Sequence, residues 1–312
     1  MSMRTKSIRS NGLRDLIYNR YLYLLALPAI IFSIIFAYLP MIGVVIAFQD
    51  FNPIKGLWGS AWIGLKNFKF FFRGQDWLLI TYNTVFFNVM FIITGTIAAL
   101  TLAIMLTELG RNTIVRFMQS IMILPNFISW PIVGLFSVAF FTADTGVVNK
   151  LLTYIGADTI QFYTNAGAWP LILVLMNLWK SAGFGAIVYM AAIVGIDKEM
   201  YEAARIDGAS RLQCIFRITL PMIKSTIVML FLLSLGGIFG GNMEMIFSLV
   251  GDNPFLASRT DTIDIYVFRA LRTSGSLGMT QAIALYQSVV GFILVMVANK
   301  VASKLDKDSA LF

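Results

Sequence analysis

The sequence predicts an all-α fold: a polytopic membrane protein with six transmembrane helices and both termini cytoplasmic. Three observations predict it. The 312 residues are 58% hydrophobic and 13% charged, with mean hydropathy +0.78, whereas soluble domains are about 45–50% apolar and about 25% charged. Six stretches are apolar over the ~20 residues that a spanning helix needs. Lysine and arginine are also unequally shared between alternate connecting segments. So little charge cannot cover a globular surface, which excludes a soluble enzyme or a disordered chain. Cys214 is the only cysteine and has no internal partner, which excludes a disulfide scaffold.

The spans are expected at Tyr21–Phe48, Thr81–Thr107, Phe117–Ala143, Ala168–Ile196 (apolar except for Lys180), Ile223–Met243 and Thr280–Asn299. Pro28, Pro40, Pro125 and Pro131 fall inside them, which neighbouring helices tolerate by satisfying the freed backbone groups. The first run follows the basic Arg4–Arg20 stretch. It is too long for the roughly 7–15-residue core of a signal peptide and lacks a cleavage pattern, so it is expected to remain as the first span. No repeat or linker divides the chain, which is expected to form one domain over 1–312, with a core over about 80–303 and a cytoplasmic loop at 197–221.

Six spans put both ends on one side. The segments on that side carry fifteen cations: Arg4, Lys6, Arg9, Arg14, Arg20, Arg111, Arg116, Lys198, Arg205, Arg211, Arg217, Lys224, Lys300, Lys304 and Lys307. The other side carries eight: Lys55, Lys66, Lys69, Arg73, Lys150, Arg259, Arg269 and Arg272. The richer side is cytoplasmic by the positive-inside rule. This asymmetry and anionic lipid account for the +8 net charge without nucleic acid.

The absence of histidine removes a Ser-His-Asp triad, an HExxH zinc site and a His-ligated haem, and one cysteine leaves no soft metal site. No GxxxxGK[ST] loop is present, so nucleotide energy would have to enter through another subunit. No metal site and no catalytic group are expected.

The informative loop runs from Asp197 to Pro221. Asp197 can cap a short helix whose positive end holds Glu199 and Glu202. Gly208 can supply the left-handed stop, and Ser210 with Gln213 can form a capping box that opens a second helix. That helix would put Leu212, Ile215, Phe216 and Thr219 on one face and Arg211 and Arg217 on another. The small Ala203–Ala204 pair and Glu202 suit docking into a partner's groove, whereas an amphipathic loop lying on lipid would have the same composition. These residues alone leave both readings open.

Inside the membrane, Lys180 and Glu244 suggest a polar path in which they pair. The alternative is that Lys180 satisfies carbonyls freed at a helix break while Glu244 sits at the interface. Asn83, Asn88, Tyr189, Asn242 and Tyr286 could line such a path, or could pack. The glycine pairs Gly236–Gly237 and Gly240–Gly241 suggest close helix packing.

Glu202-Ala203-Ala204, Asp207-Gly208-Ala209 and Ile218-x-Leu220-Pro221 together match EAA-x2-DGA-x8-I-x-LP. The pattern resembles the EAA loop of binding-protein-dependent ABC importer permeases of type I. Trp62-Ile-Gly-Leu-Lys-Asn-Phe68, Gly146-Val-Val-Asn149 and Trp179-Lys180 followed by Gly183 resemble further segments of sugar permeases. Leu124-Pro-Asn-Phe-Ile-Ser-Trp130 and Asp261-Thr-Ile-Asp-Ile-Tyr266 resemble the permeases for oligo- and polysaccharides. The resemblance implies a type I importer transmembrane fold in the bacterial cytoplasmic membrane. It implies a second homologous permease, two cytoplasmic ATPase subunits that bind ATP and Mg, an extracytoplasmic solute-binding protein and a carbohydrate substrate. It also implies that Tyr201, Glu202, Ala203, Ala204, Asp207, Gly208, Ala209, Leu220 and Pro221 couple to an ATPase. Gly208 would provide the turn, Ala203 the close contact and Glu202 a charge for a basic partner. The rival reading, a secondary transporter or channel for a small polar solute, would call for an inverted repeat or coupling carboxylates.

Overall fold

The computed structural model describes residues 18–305 apart from 74–76, 111 and 241. Arg4, Lys6, Arg9, Arg14, Arg111, Gly241 and Lys307 therefore lie outside the described residues. Helix α1 spans Arg20–Phe48, tightening to a 3-10 helix from Leu39. A two-stranded hairpin follows, β1 Gln49–Asp50 antiparallel to β2 Ala61–Trp62, with the short helix α2 at Gly56–Gly59. Helices α3 Lys66–Arg73 and α4 Trp77–Glu108 come next, then α5 Thr113–Phe127, α6 Trp130–Phe141 and α7 Val147–Tyr154. Helix α8 covers Trp169–Val194, α9 Lys198–Ile206, α10 Arg211–Met222 and α11 Lys224–Gly236. The chain ends in α12 Met243–Val250, α13 Ala257–Thr260, α14 Ile263–Ser274 and α15 Leu277–Leu305.

Four described helices, α1, α4, α8 and α15, are each long and apolar enough to cross a membrane. Two bent pairs, α5–α6 at 95° and α10–α11 at 59°, bring the number to six where each pair counts as one span. Two expected spans change shape. The Phe117–Ala143 run breaks where Ile128 and Ser129 go extended between Pro125 and Pro131, because each proline removes a helical donor. The Ile223–Met243 run stops at Gly236, and its helix begins earlier, at Arg211. The glycines there do not pack helices closely: a Cβ at Gly236 would meet only Val295 Cγ2 at 4.0 Å, and Gly237 and Gly240 form the turn before α12.

Close packing lies elsewhere. Helices α4 and α8 make the most extensive pairing, with Ala99, Ala103, Ala186 and Gly185 at their contact. A Cβ at Gly183 would collide with the backbone of Met122 in α5, and one at Gly134 with the backbone of Ser248 in α12. Small residues let backbones approach where lipid supplies no hydrophobic drive between helices. A second core, around Phe87, Trp169, Leu173 and Ile246, extends into the connecting segments through Phe162 and Leu256. Helix α15 packs on the second half of α1 and on α11. The most apolar window of α1 buries nothing against the rest of the chain.

Candidate functional site

The 197–221 loop folds as its local signals require. Asp197 accepts the Glu199 N–H at 3.0 Å and opens α9. At the other end Gly208 N–H donates to Arg205 O (3.1 Å) and Ala209 N–H to Ala204 O (2.9 Å), with Gly208 at φ +80°. These two bonds and the left-handed glycine form a Schellman stop. Ser210 N–H then donates to Gln213 Oε1 (2.7 Å), and Gln213 N–H to Ser210 Oγ (3.3 Å), closing the capping box of α10.

Helix α9 turns Glu202, Ala203, Arg205, Ile206, Asp207 and Gly208 outward, while Tyr201, Ala204 and Ala209 are half-buried. Ile206 is 85% exposed, an apolar side chain standing clear of the protein. Tyr201 OH lies 3.0 Å from Thr219 Oγ1 and ties α9 to α10. On α10 the expected face is only partly realised. Thr219 and Cys214 are buried, Ile215 and Leu220 half-buried, and Leu212, Phe216 and Pro221 exposed. The reason is a π turn over Ile215–Thr219, which inserts a residue and shifts the phase of the stripe.

Sequence reasoning missed a cleft of about 1200 Å³ between the ends of α4 and α8, helix α5 and α9. Its lining includes the apolar Ile123, Ile187 and Met190 and the charged Glu108, Arg116, Lys198, Glu202 and Arg205. No sequence signal could have found it, because its walls come from four separate segments.

The intramembrane candidates mostly serve the fold. Lys180 and Glu244 do not pair. Lys180 Nζ donates to the carbonyls of Pro125 (3.4 Å), Asn126 (3.0 Å) and, more closely, Ile128, and lies 5.2 Å from the Trp130 ring centre. It satisfies the oxygens freed at the α5–α6 elbow. Glu244 is exposed in the first turn of α12. Asn83 is buried and donates to Asp261 O (3.1 Å) and Ser258 O (3.4 Å). Asn242 donates to Asn88 Oδ1 at 2.9 Å, the one pair of path candidates that the structure joins by a described hydrogen bond. Tyr189 is buried in the α4–α8 core, and Tyr286 packs on Phe71 (5.7 Å) and Phe72 (5.4 Å).

Other quoted segments also have physical reasons. Asn67 Nδ2 donates to Ala47 O and Gln49 O, both at 3.0 Å, holding the hairpin base. Asn149 accepts from Ile160 N–H (2.9 Å) and donates to Ala143 O (2.9 Å) and Ile160 O (2.8 Å), and a Cβ at Gly146 would strike the carbonyl of Thr142. Arg269 bridges Asp261 (2.7 Å) and Asp252 (2.9 Å). Burial alone would lower its pKa, but the bond and charge of Asp261, with those of Asp252, hold it above the ordinary value. Burial pushes the Asp264 carboxyl up, and the hydrogen bond from Gln287 (2.9 Å) partly offsets this.

Residues 91–307 match the family described as binding-protein-dependent transport system inner membrane component. Protein LplB of Bacillus subtilis (strain 168) is 37% identical over 290 residues, covering 93% of this chain and 91% of that protein. The polygalacturonan/rhamnogalacturonan transport system permease protein YteP of the same organism is 36% identical over 303 residues, covering 97% and 94%. A chain of a bacterial alginate ABC transporter, crystallised in complex with alginate pentasaccharide-bound periplasmic protein, superposes with TM-score 0.85. Its identity is 33%, over 94% of this chain and 98% of that one.

Proposed function

The chain belongs to the family of binding-protein-dependent transport system inner membrane components, and from that premise we propose that it is the permease subunit of an ATP-driven importer of oligosaccharides or polysaccharide fragments. The names of YteP, a polygalacturonan/rhamnogalacturonan permease, and of a transporter that imports the acidic polysaccharide alginate support this substrate class. The complex would hold a second permease, two ATPases that bind ATP and Mg, and a solute-binding protein outside the bacterial cytoplasmic membrane. Both termini would be cytoplasmic, and this chain would perform no catalysis.

One observation carries the reading: α9 is at once an exposed helix and a wall of a cleft of about 1200 Å³. Its outer face offers Glu202, small Ala203 and apolar Ile206 to a groove. Its inner face is tied by Tyr201 to Thr219. Movement of a docked ATPase would therefore reshape the cleft directly, which alternating access requires. The polar part of its lining can pass a hydroxyl-rich solute without binding it tightly.

The test is the purified complex in liposomes with its binding protein. Loaded binding protein should stimulate ATP hydrolysis, and Glu202→Arg should remove that stimulation while the chain still inserts. Undiminished stimulation in Glu202→Arg would overturn the docking assignment.

A further inference from the structure

Four of the eight cations on the proposed outer side fall between Lys55 and Arg73, against the bias that keeps such residues inside. Import of a sugar does not by itself require them. Lys66, Lys69 and Arg73 are spaced i, i+3, i+7 on α3, so they form one stripe, and all three are exposed. The opposite face of α3 is aromatic: Phe68 meets Phe48 at 5.4 Å, and buried Phe71 meets Tyr266 at 5.8 Å and Tyr286 at 5.7 Å. Asp50 is the one acid among the described residues of 49–73.

Beside this stripe stands a braced apolar tip. Gln49 Nε2 donates to Leu57 O (2.9 Å), Asn52 N–H to Ser60 Oγ (3.0 Å) and Ser60 Oγ to Gly56 O (2.7 Å). The bracing holds Ile54 at 95%, Trp58 at 93% and Trp62 at 65% exposure. The base is fixed at the ends of three spans. Trp62 stacks on Phe48 of α1 at 5.5 Å, α3 ends just before Trp77 of α4, and a Cβ at Gly278 of α15 would lie 2.7 Å from Asn67 Nδ2. The hairpin therefore leaves the protein at the level of the membrane boundary.

We propose that residues 49–73 bind anionic phospholipid in the outer leaflet, with Lys55, Lys66, Lys69 and Arg73 on headgroups and Ile54, Trp58 and Trp62 at the acyl boundary. The inference rests on the proposed topology. Charge complementarity and position at the span ends select this occupant. Tryptophan and lysine beside span ends are the side chains that the interface accommodates. An acidic sugar would match the cations but would leave Ile54 and Trp58 without an apolar partner.

The experiment uses the purified complex in nanodiscs of phosphatidylcholine, with and without phosphatidylglycerol. The Trp58 signal, taken as the difference between parent and Trp58→Phe, should be quenched by lipids brominated near the headgroup and spared by aqueous iodide. Phosphatidylglycerol should bind in preference to phosphatidylcholine, and the triple change Lys66→Gln, Lys69→Gln, Arg73→Gln should weaken that preference by roughly fivefold per cation. An unchanged preference, or a Trp58 quenched by iodide and shielded only when the binding protein is added, would overturn the proposal, the latter giving the tip to that protein. In sealed right-side-out vesicles, a Pro53→Cys thiol in a Cys214→Ser chain should react with an impermeant reagent from outside. Reaction only from inside would overturn the topology together with the outer-leaflet assignment.

Discussion

Replacing Gly208 isolates the contribution of one backbone angle to the coupling proposed for α9. Gly208 sits at φ +80°, and a Cβ built there meets nothing within 4 Å. An added side chain therefore clashes with no neighbour, and its whole cost is the left-handed conformation itself, about 1–2 kcal/mol for an ordinary L-residue. That cost lowers the closed-to-open ratio of the Schellman stop by roughly 5- to 30-fold relative to glycine. Asparagine visits the left-handed region more readily, so Gly208→Asn should lose less than Gly208→Ala. Gly208→Pro should lose most, because it removes the N–H given to Arg205 O and forces φ negative. Substrate-stimulated ATP hydrolysis in liposomes, normalised to inserted protein, should fall in the order Gly, Asn, Ala, Pro. An alanine variant equal to the parent, or an asparagine variant worse than alanine, would show that the left-handed turn is not what positions α9.

Two further outcomes follow from half-buried charges. Lys180→Met removes three bonds to the elbow carbonyls, worth about 0.6 kcal/mol each in membranes, but relieves a charge that costs about 2.5–3.5 kcal/mol at a span centre. Thermal stability should therefore rise by roughly 0.7–1.7 kcal/mol while transport falls with the loss of the elbow; a stable variant with full transport would remove Lys180 from the mechanism. Asp264→Asn keeps the bond from Gln287 and removes a carboxyl whose pKa burial raises. A raised acid pKa destabilises the fold at pH values above it, so the variant should be the more stable at pH 7, with the gain shrinking as pH falls toward the ordinary carboxylate range; a gain independent of pH would place its cause elsewhere.

The shape of the 197–221 loop was legible because its signals are local. Asp197, Gly208, Ser210 and Gln213 each act on backbone groups within a few residues. Polar groups inside the membrane were not legible for the opposite reason. Asn83 finds its acceptors near Asp261 and Asn242 finds Asn88, across separations that no window of sequence contains. Composition marks such residues as expensive, and expense alone cannot distinguish a path-lining amide from one that fastens a span to its connecting loop. Four of the six expected spans appear as continuous apolar helices, but the bends that divide the other two did not follow from hydropathy. Hydropathy is blind to the backbone angles of Ile128 and Ser129, although Pro125 and Pro131 mark the place. The apolar stripe of α10 misled because a π turn adds one residue to a period of 3.6.

The same π turn bears on how force crosses the loop. Thr219 closes the turn by donating to Cys214 O (3.4 Å), and it is also the group that meets Tyr201 OH at 3.0 Å. Tyr201 and Ile218 pack on the core that holds Ile193, Ile196 and Ile223, and Ile223 stands at the 59° bend before α11. A pull on α9 thus has two routes into the membrane. One runs backward along the chain through Ile196 to α8, and the other runs across the Tyr201–Thr219 contact to the bend. Both end on walls of the cleft or beside them. A helix attached through the chain alone could swing about Gly195–Asp197 without moving α10; the tyrosine contact removes that freedom, so α9 and α10 must move together. If an ATPase docks on α9 as proposed, its motion would reach α10 and the cleft through the inward-facing Tyr201 as well as along the chain.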